Sequence, residues 1–115
     1  MVINAHSMRT EKITNMRNGK GEVEILHLVE KQFLFGKSRL FAKLSIKPGS
    51  SIGTHKHENE FEIFYVLSGK GLFNDNGNAI PVQAGDICFT APGETHSIEN
   101  TSQQDLEILA IIVLV

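Results

Sequence analysis

Apolar positions along this chain come in short runs of four to nine residues, rich in Val, Ile, Leu and Phe, and each run is closed by a turn signal. The punctuation falls at Asn18-Gly19, Gly21, Gly36, Pro48-Gly49, Gly53, Gly69, Gly71, Asn76-Gly77, Gly85 and Pro92-Gly93. No stretch long enough for a helix keeps a helical period. Short apolar runs with regular turns predict an all-β sandwich or barrel. The predicted strands are 23–29, 39–47, 54–57, 61–68, 71–74, 79–84, 86–91, 95–100 and 106–115. Asn74-Asp75-Asn76-Gly77-Asn78 is the clearest local signal, a hairpin in which Asn-Gly supplies positive φ.

Strand alternation adds a point about assembly. In 61–67, Glu62, Phe64 and Val66 face one way and Ile63, Tyr65 and Leu67 the other, so both faces are largely apolar. The same holds for 108–115. A strand apolar on both sides needs a cover beyond the barrel interior. Either the partner subunit of a homodimer or the chain's own N-terminal strands could supply it, and a homodimer is the expectation. Residues 1–20 are polar and read as either a loosely attached arm or an edge strand.

Composition narrows the setting. With 115 residues the chain is expected to form one domain over 1–115. Apolar residues make up 41 % and charged residues 21 %, as in ordinary globular proteins. A net charge of −2 supplies no basic field for nucleic acid or an anionic membrane. The longest apolar run, Ile108 to Val115, is far short of a membrane span. The N-terminal residues show no secretory pattern, and one cysteine, Cys88, cannot form an internal disulfide. A reducing, cytoplasmic setting is expected.

Chemistry concentrates in one region. His55 and His57 flank Lys56 on a strand pattern, so both imidazoles project from one face. Cβ atoms at that spacing lie about 6–7 Å apart, and both rings can reach one metal ion. Glu62 follows beyond the short turn Glu58-Asn59-Glu60, where the chain can fold back beside the pair and add a carboxylate. Glu58 and Glu60 could replace it but are expected to be solvated. His96 comes after the Pro92-Gly93 turn and shares a face with Ile98 and Asn100. Three imidazoles and one carboxylate suit a single divalent ion of the Mn, Fe, Co, Ni, Cu or Zn group. Four protein ligands on an octahedral ion would leave two positions for water or substrate.

The full spacing reads Gly49, five residues, His55-x-His57, four residues, Glu62, six residues, Gly69. A second segment reads Gly85, six residues, Pro92-Gly93, two residues, His96, three residues, Asn100. These segments, 49–69 and 85–100, closely resemble the two signature motifs of the cupins. The resemblance implies a double-stranded β-helix, or jelly-roll, barrel with His55, His57, Glu62 and His96 as metal ligands and manganese as the first expectation for the ion. The second motif departs mildly, with Ala91-Pro92-Gly93 where the family more often has Pro-x-Gly, which affects the turn rather than the ligands. The short stretch Lys70 to Ala84 is similar to that of small bacterial single-domain cupins, some of them oxalate-decarboxylase-like or sugar-phosphate-isomerase-like.

Other residues are expected to be structural. Phe64, Val66 and Ile98 should line the barrel, Cys88 should be a small core residue, and Tyr65 should pack on the outside. Gly71 and Asn100 read as structural, while His6 and His27 carry no pattern. In the oxalate-decarboxylase branch an arginine precedes the first ligand histidine by three residues, and here that position is Ile52. Arg39 alternates with Phe41 and Lys43, which predicts that it faces outward. The expected function is therefore a metal enzyme acting on a small oxygen-rich molecule by decarboxylation, dioxygenation or isomerisation, with no acid or base nominated. A binding or sensing module without turnover is the alternative, and a storage or scaffold role is a third.

Overall fold

Ten strands carry the apolar runs: β1 Arg9–Thr14, β2 Glu22–His27, β3 Ser38–Ile46, β4 Ser51–Lys56, β5 Glu60–Ser68, β6 Lys70–Asp75, β7 Asn78–Gln83, β8 Ile87–Thr90, β9 Thr95–Glu99 and β10 Leu106–Leu114. The computed structural model describes all residues from Met1 to Val115. Three one-turn 3₁₀ segments, at Ala5–Ser7, Met16–Asn18 and Lys31–Phe33, complete the regular structure. The chain has no helix long and apolar enough to cross a membrane. Nine strands match the apolar runs read from the sequence. The tenth, β1, lies in the polar N-terminal region and pairs with β2 from Arg9↔His27 to Thr14↔Glu22, so this region is an edge strand rather than a loose arm.

Every pairing is antiparallel, in a six-stranded sheet ordered β1-β2-β3-β10-β5-β8 and a four-stranded sheet ordered β4-β9-β6-β7. The two sheets form a jelly-roll barrel whose inward faces meet in one core. Alternation decides which residues enter it: Leu106, Ile108, Ala110 and Ile112 of β10 are buried, and so are Phe64 and Val66 of β5 and Ile98 of β9. Burying each large apolar side chain contributes about 1.5–3 kcal/mol. Cys88 joins the same core. Asn100, fully buried, donates through Nδ2 to the carbonyls of Ile46 (2.8 Å) and Gln104 (2.7 Å), which ties the β9–β10 loop to β3.

Two irregularities in register position the site. In the β4–β9 ladder Ile52 pairs with Ile98 and His55 with His96, so Gly53 and Thr54 together oppose Ser97. That β-bulge lets Ile52 and His55, three apart in sequence, point to the same interior. In the β10–β3 ladder Ile112 pairs with Leu40 and Val113 with Ser38, which leaves Arg39 as the extra residue of a second bulge.

The outer face of the six-stranded sheet remains apolar. Tyr65, Leu67, Ile87 and Phe89 are exposed there, and the Phe61 and Phe89 rings lie 5.6 Å apart. The N-terminal strands do not cover this face, because β1 and β2 extend the same sheet sideways beyond β3.

Candidate metal centre

Four side chains converge from three strands and one turn. His55 enters from the β4 bulge, and His57 sits one residue past the end of β4. There its backbone N–H donates to the Glu94 carbonyl (3.1 Å) and its carbonyl accepts from Gly93 N–H (2.6 Å). Glu62 points inward from β5 on the Phe64 and Val66 face, and His96 stands opposite His55 on β9. His57, Glu62 and His96 are buried and His55 is half-buried. The Nε2 atoms of His57 and His96 lie 3.0 Å apart, as do those of His96 and His55. Glu62 Oε1 lies 2.9 Å from His57 Nε2 and 3.1 Å from His96 Nε2. One donor atom from each of the four residues falls within 4.8 Å of every other, and this cluster can hold one metal ion.

The outer nitrogens explain why the inner ones are available. His55 Nδ1 donates to the Gly53 carbonyl (2.7 Å), and His57 Nδ1 donates to a Glu60 carboxylate oxygen (2.5 Å). Both partners can only accept, so both Nε2 atoms carry lone pairs toward the centre. His96 Nδ1 shares a 2.7 Å hydrogen bond with the Thr90 hydroxyl, and its ring stacks on Phe64 at 5.1 Å. Lone pairs and a carboxylate facing one another at about 3 Å repel unless a cation or a shared proton lies among them. The donor set therefore fits a divalent metal.

Protonation follows from the same surroundings. Burial pushes the His55 pKa down to about 4, against the opposing hydrogen bond to Gly53. At His57 burial also disfavours the charged ring, but the Glu62 and Glu60 carboxylates outweigh it and raise the pKa. Burial alone would raise Glu62, yet the facing His57 and His96 rings hold its carboxyl below the ordinary value. Glu60 is held down to about 2, chiefly by Arg39 and also by His57.

Two expectations are corrected here. Glu60 is not a solvated surface carboxylate: it is buried and binds Arg39 through two hydrogen bonds of 2.7 and 2.8 Å. Glu58 is exposed as expected. Arg39 does not face outward, since it lines the same cavity as His55, His57 and Glu62. The bulge that leaves Arg39 unpaired breaks the alternation on which the outward reading depended.

The cavity measures about 180 Å³ and has walls of Met16, Ile25, Leu40, Leu44, Ile52 and Phe64. Three more polar side chains that carry no local sequence signal also line it: Glu11, Arg17 and His27. Glu11 and His27, from β1 and β2, meet with a carboxylate oxygen 2.5 Å from His27 Nε2. Only the pairing of β1 with β2 brings them together.

Comparison with known proteins agrees with this geometry. The family model of the Cupin domain matches residues 42–112. An "Oxalate-binding protein" of Thermotoga maritima is 56 % identical over 114 residues, covering 99 % of this chain and 94 % of the relative. An uncharacterised protein of Methanocaldococcus jannaschii is 32 % identical over 85 residues, covering 74 % of this chain and 68 % of the relative. Among solved structures, one from Thermotoga maritima described as a predicted oxalate decarboxylase superposes with a TM-score of 0.95 at 56 % identity, covering all of both chains.

Proposed function

The chain belongs to the cupin family, and from that premise we propose that it is a mononuclear divalent-metal protein that captures a small dicarboxylate of the oxalate class. The observation that carries this reading is the convergence of three hydrogen-bonded imidazoles and Glu62 at the floor of a small cavity with two arginines in its wall. In this reading residues 1–115 form one cupin domain, and His55, His57, Glu62 and His96 hold the ion, manganese first among the candidates. The ion, when bound, supplies a Lewis acid for carboxylate oxygens. The rest is the work of the chain. Glu60, Thr90 and the Gly53 carbonyl orient the rings, and Ile52, Phe64 and Leu44 keep bulk water from the floor. The name of the Thermotoga relative, 56 % identical to this chain, supports an oxalate-class ligand.

A second reading adds turnover, and one observation favours it. The Glu11–His27 pair lines the same cavity and can give or take a proton, as decarboxylation of the ligand would require.

Elemental analysis and calorimetry test the first reading. The protein should hold one metal ion per chain and bind oxalate only when loaded. A His55→Ala/His57→Ala double variant should lose both properties. Equal metal content in the two proteins would refute the ligand assignment. Formate released from oxalate under air or nitrogen would establish turnover, and its absence would leave binding alone.

The uncovered apolar face of the six-stranded sheet, with Tyr65, Leu67, Ile87 and Phe89 exposed, supports a homodimer in which a second copy covers it. The lone buried Cys88 supports a reducing, cytoplasmic setting.

A further inference from the structure

Two guanidinium groups line the cavity, and they are not equivalent. Arg39 donates through Nε and Nη2 to the two carboxylate oxygens of Glu60, so the pair brings no net charge to a ligand. Arg17 forms no ion pair and no side-chain hydrogen bond, since every carboxylate paired in the molecule is paired with another residue. It is the cavity's one uncompensated cation.

The backbone beneath it is held in an uncommon state. Arg17 has φ +54° and ψ +38°, the left-handed region that a long side chain seldom occupies, and Asn15 and Asn18 on either side share it. Such strain persists only where the surroundings fix it. Here the turn Met16–Asn18 is pressed backbone to backbone onto β4. A Cβ on Gly53 would lie 2.2 Å from the Arg17 carbonyl oxygen, and a Cβ on Gly19 would lie 2.4 Å from that of Ser51. Ser51 N–H donates to the Lys20 carbonyl (2.8 Å), and its hydroxyl accepts from Lys20 N–H (3.1 Å). The segment that carries Arg17 is thus seated on the bulge that aims His55. The Arg17 charge is felt at the His55 ring.

We infer that Arg17 determines ligand specificity, taking the second carboxylate of a dicarboxylate whose other oxygens face the His55, His57, Glu62 and His96 cluster. This rests on the dicarboxylate reading above and deepens it. Ile52 beside Arg17 and His55 supplies no charge, and Arg39 is already neutralised, so the second negative charge of the ligand has Arg17 as its partner. The residue is solvent-exposed, which limits the size of its contribution.

Calorimetry on the full-length, metal-loaded protein tests this with oxalate and with glycolate, which has one carboxylate. Arg17→Asn is the informative variant, because asparagine accepts the left-handed backbone and carries no charge. It should weaken oxalate about tenfold at low salt, leave glycolate within about twofold, and leave metal content unchanged. Arg17→Lys should retain part of the preference, which shows that loss in the first variant is not misfolding. If wild type binds oxalate and Arg17→Asn binds it equally well, or loses both ligands alike, the Arg17 assignment is overturned while the dicarboxylate reading stands. If wild type fails to bind oxalate, the dicarboxylate reading itself falls and takes this inference with it.

Discussion

The His57 ring donates through Nδ1 to Glu60, 2.5 Å away, and Glu60 is in turn clasped by Arg39. One ion pair on the cavity wall therefore fixes which nitrogen of a ligand-type histidine faces the centre. Outer partners of this kind raise the basicity of a metal ligand and lock its orientation.

Replacing Glu60 by Gln should lower metal affinity roughly 10- to 100-fold without removing any of the four convergent donors. A titration of metal against a competing chelator measures this. Unchanged affinity would show that the Glu60 contact orients nothing.

Metal-free protein should lose stability as pH falls. The His55 pKa is lowered from 6.5 to about 4 in the folded chain, so the unfolded state takes up that proton first. The stabilising contribution is complete above pH 6.5 and is lost as pH falls toward 4. Thermal unfolding across that window should show Tm falling with pH, and His55→Gln should flatten the slope. A variant with the wild-type slope would mean that another group controls it.

Gly53→Ala should destabilise the fold by about 1–3 kcal/mol, the usual cost of overpacking. The added methyl has no room, since its carbon would meet the Arg17 carbonyl oxygen at 2.2 Å. Urea unfolding gives the stability. Wild-type stability would indicate that the Met16–Asn18 turn shifts away freely.

Cys88 should resist alkylation in the native protein at pH 8. Burial pushes its thiol up to about 11, so almost none is thiolate at that pH. Iodoacetamide followed by mass spectrometry should label it only after unfolding, and rapid labelling of folded protein would contradict the core placement.

Phe89→Asp should shift the chain from dimer to monomer, because Phe89 is exposed at the edge strand of the apolar sheet face and packs on Phe61. Size exclusion with light scattering reads the mass at micromolar concentration. A monomeric wild type would rule out the second copy as the cover.

Much of the fold was legible because alternation and turns are local. Phe64, Val66 and Ile98 read as inward-facing and are buried, and the Asn76-Gly77 hairpin joins β6 to β7. The four convergent donors were legible for the same reason, since spacing along two motifs marks His55, His57, Glu62 and His96. Alternation failed at Arg39, where an unpaired residue reverses the parity of everything beyond it. It also gives no hint that Ile52 and His55 share a face, which requires the bulge at Gly53-Thr54.

By itself, then, the sequence determined a β-barrel and marked the four side chains that converge in it, because period-2 burial and short-range spacing are properties of each strand alone. Tertiary structure decided what surrounds them: Glu60 buried by an arginine 21 residues away, Glu11 meeting His27 across β1 and β2, and Arg17 seated on the β4 bulge. Those contacts depend on register between strands distant in sequence. Register is set by the packing of both faces at once, so no single segment records it.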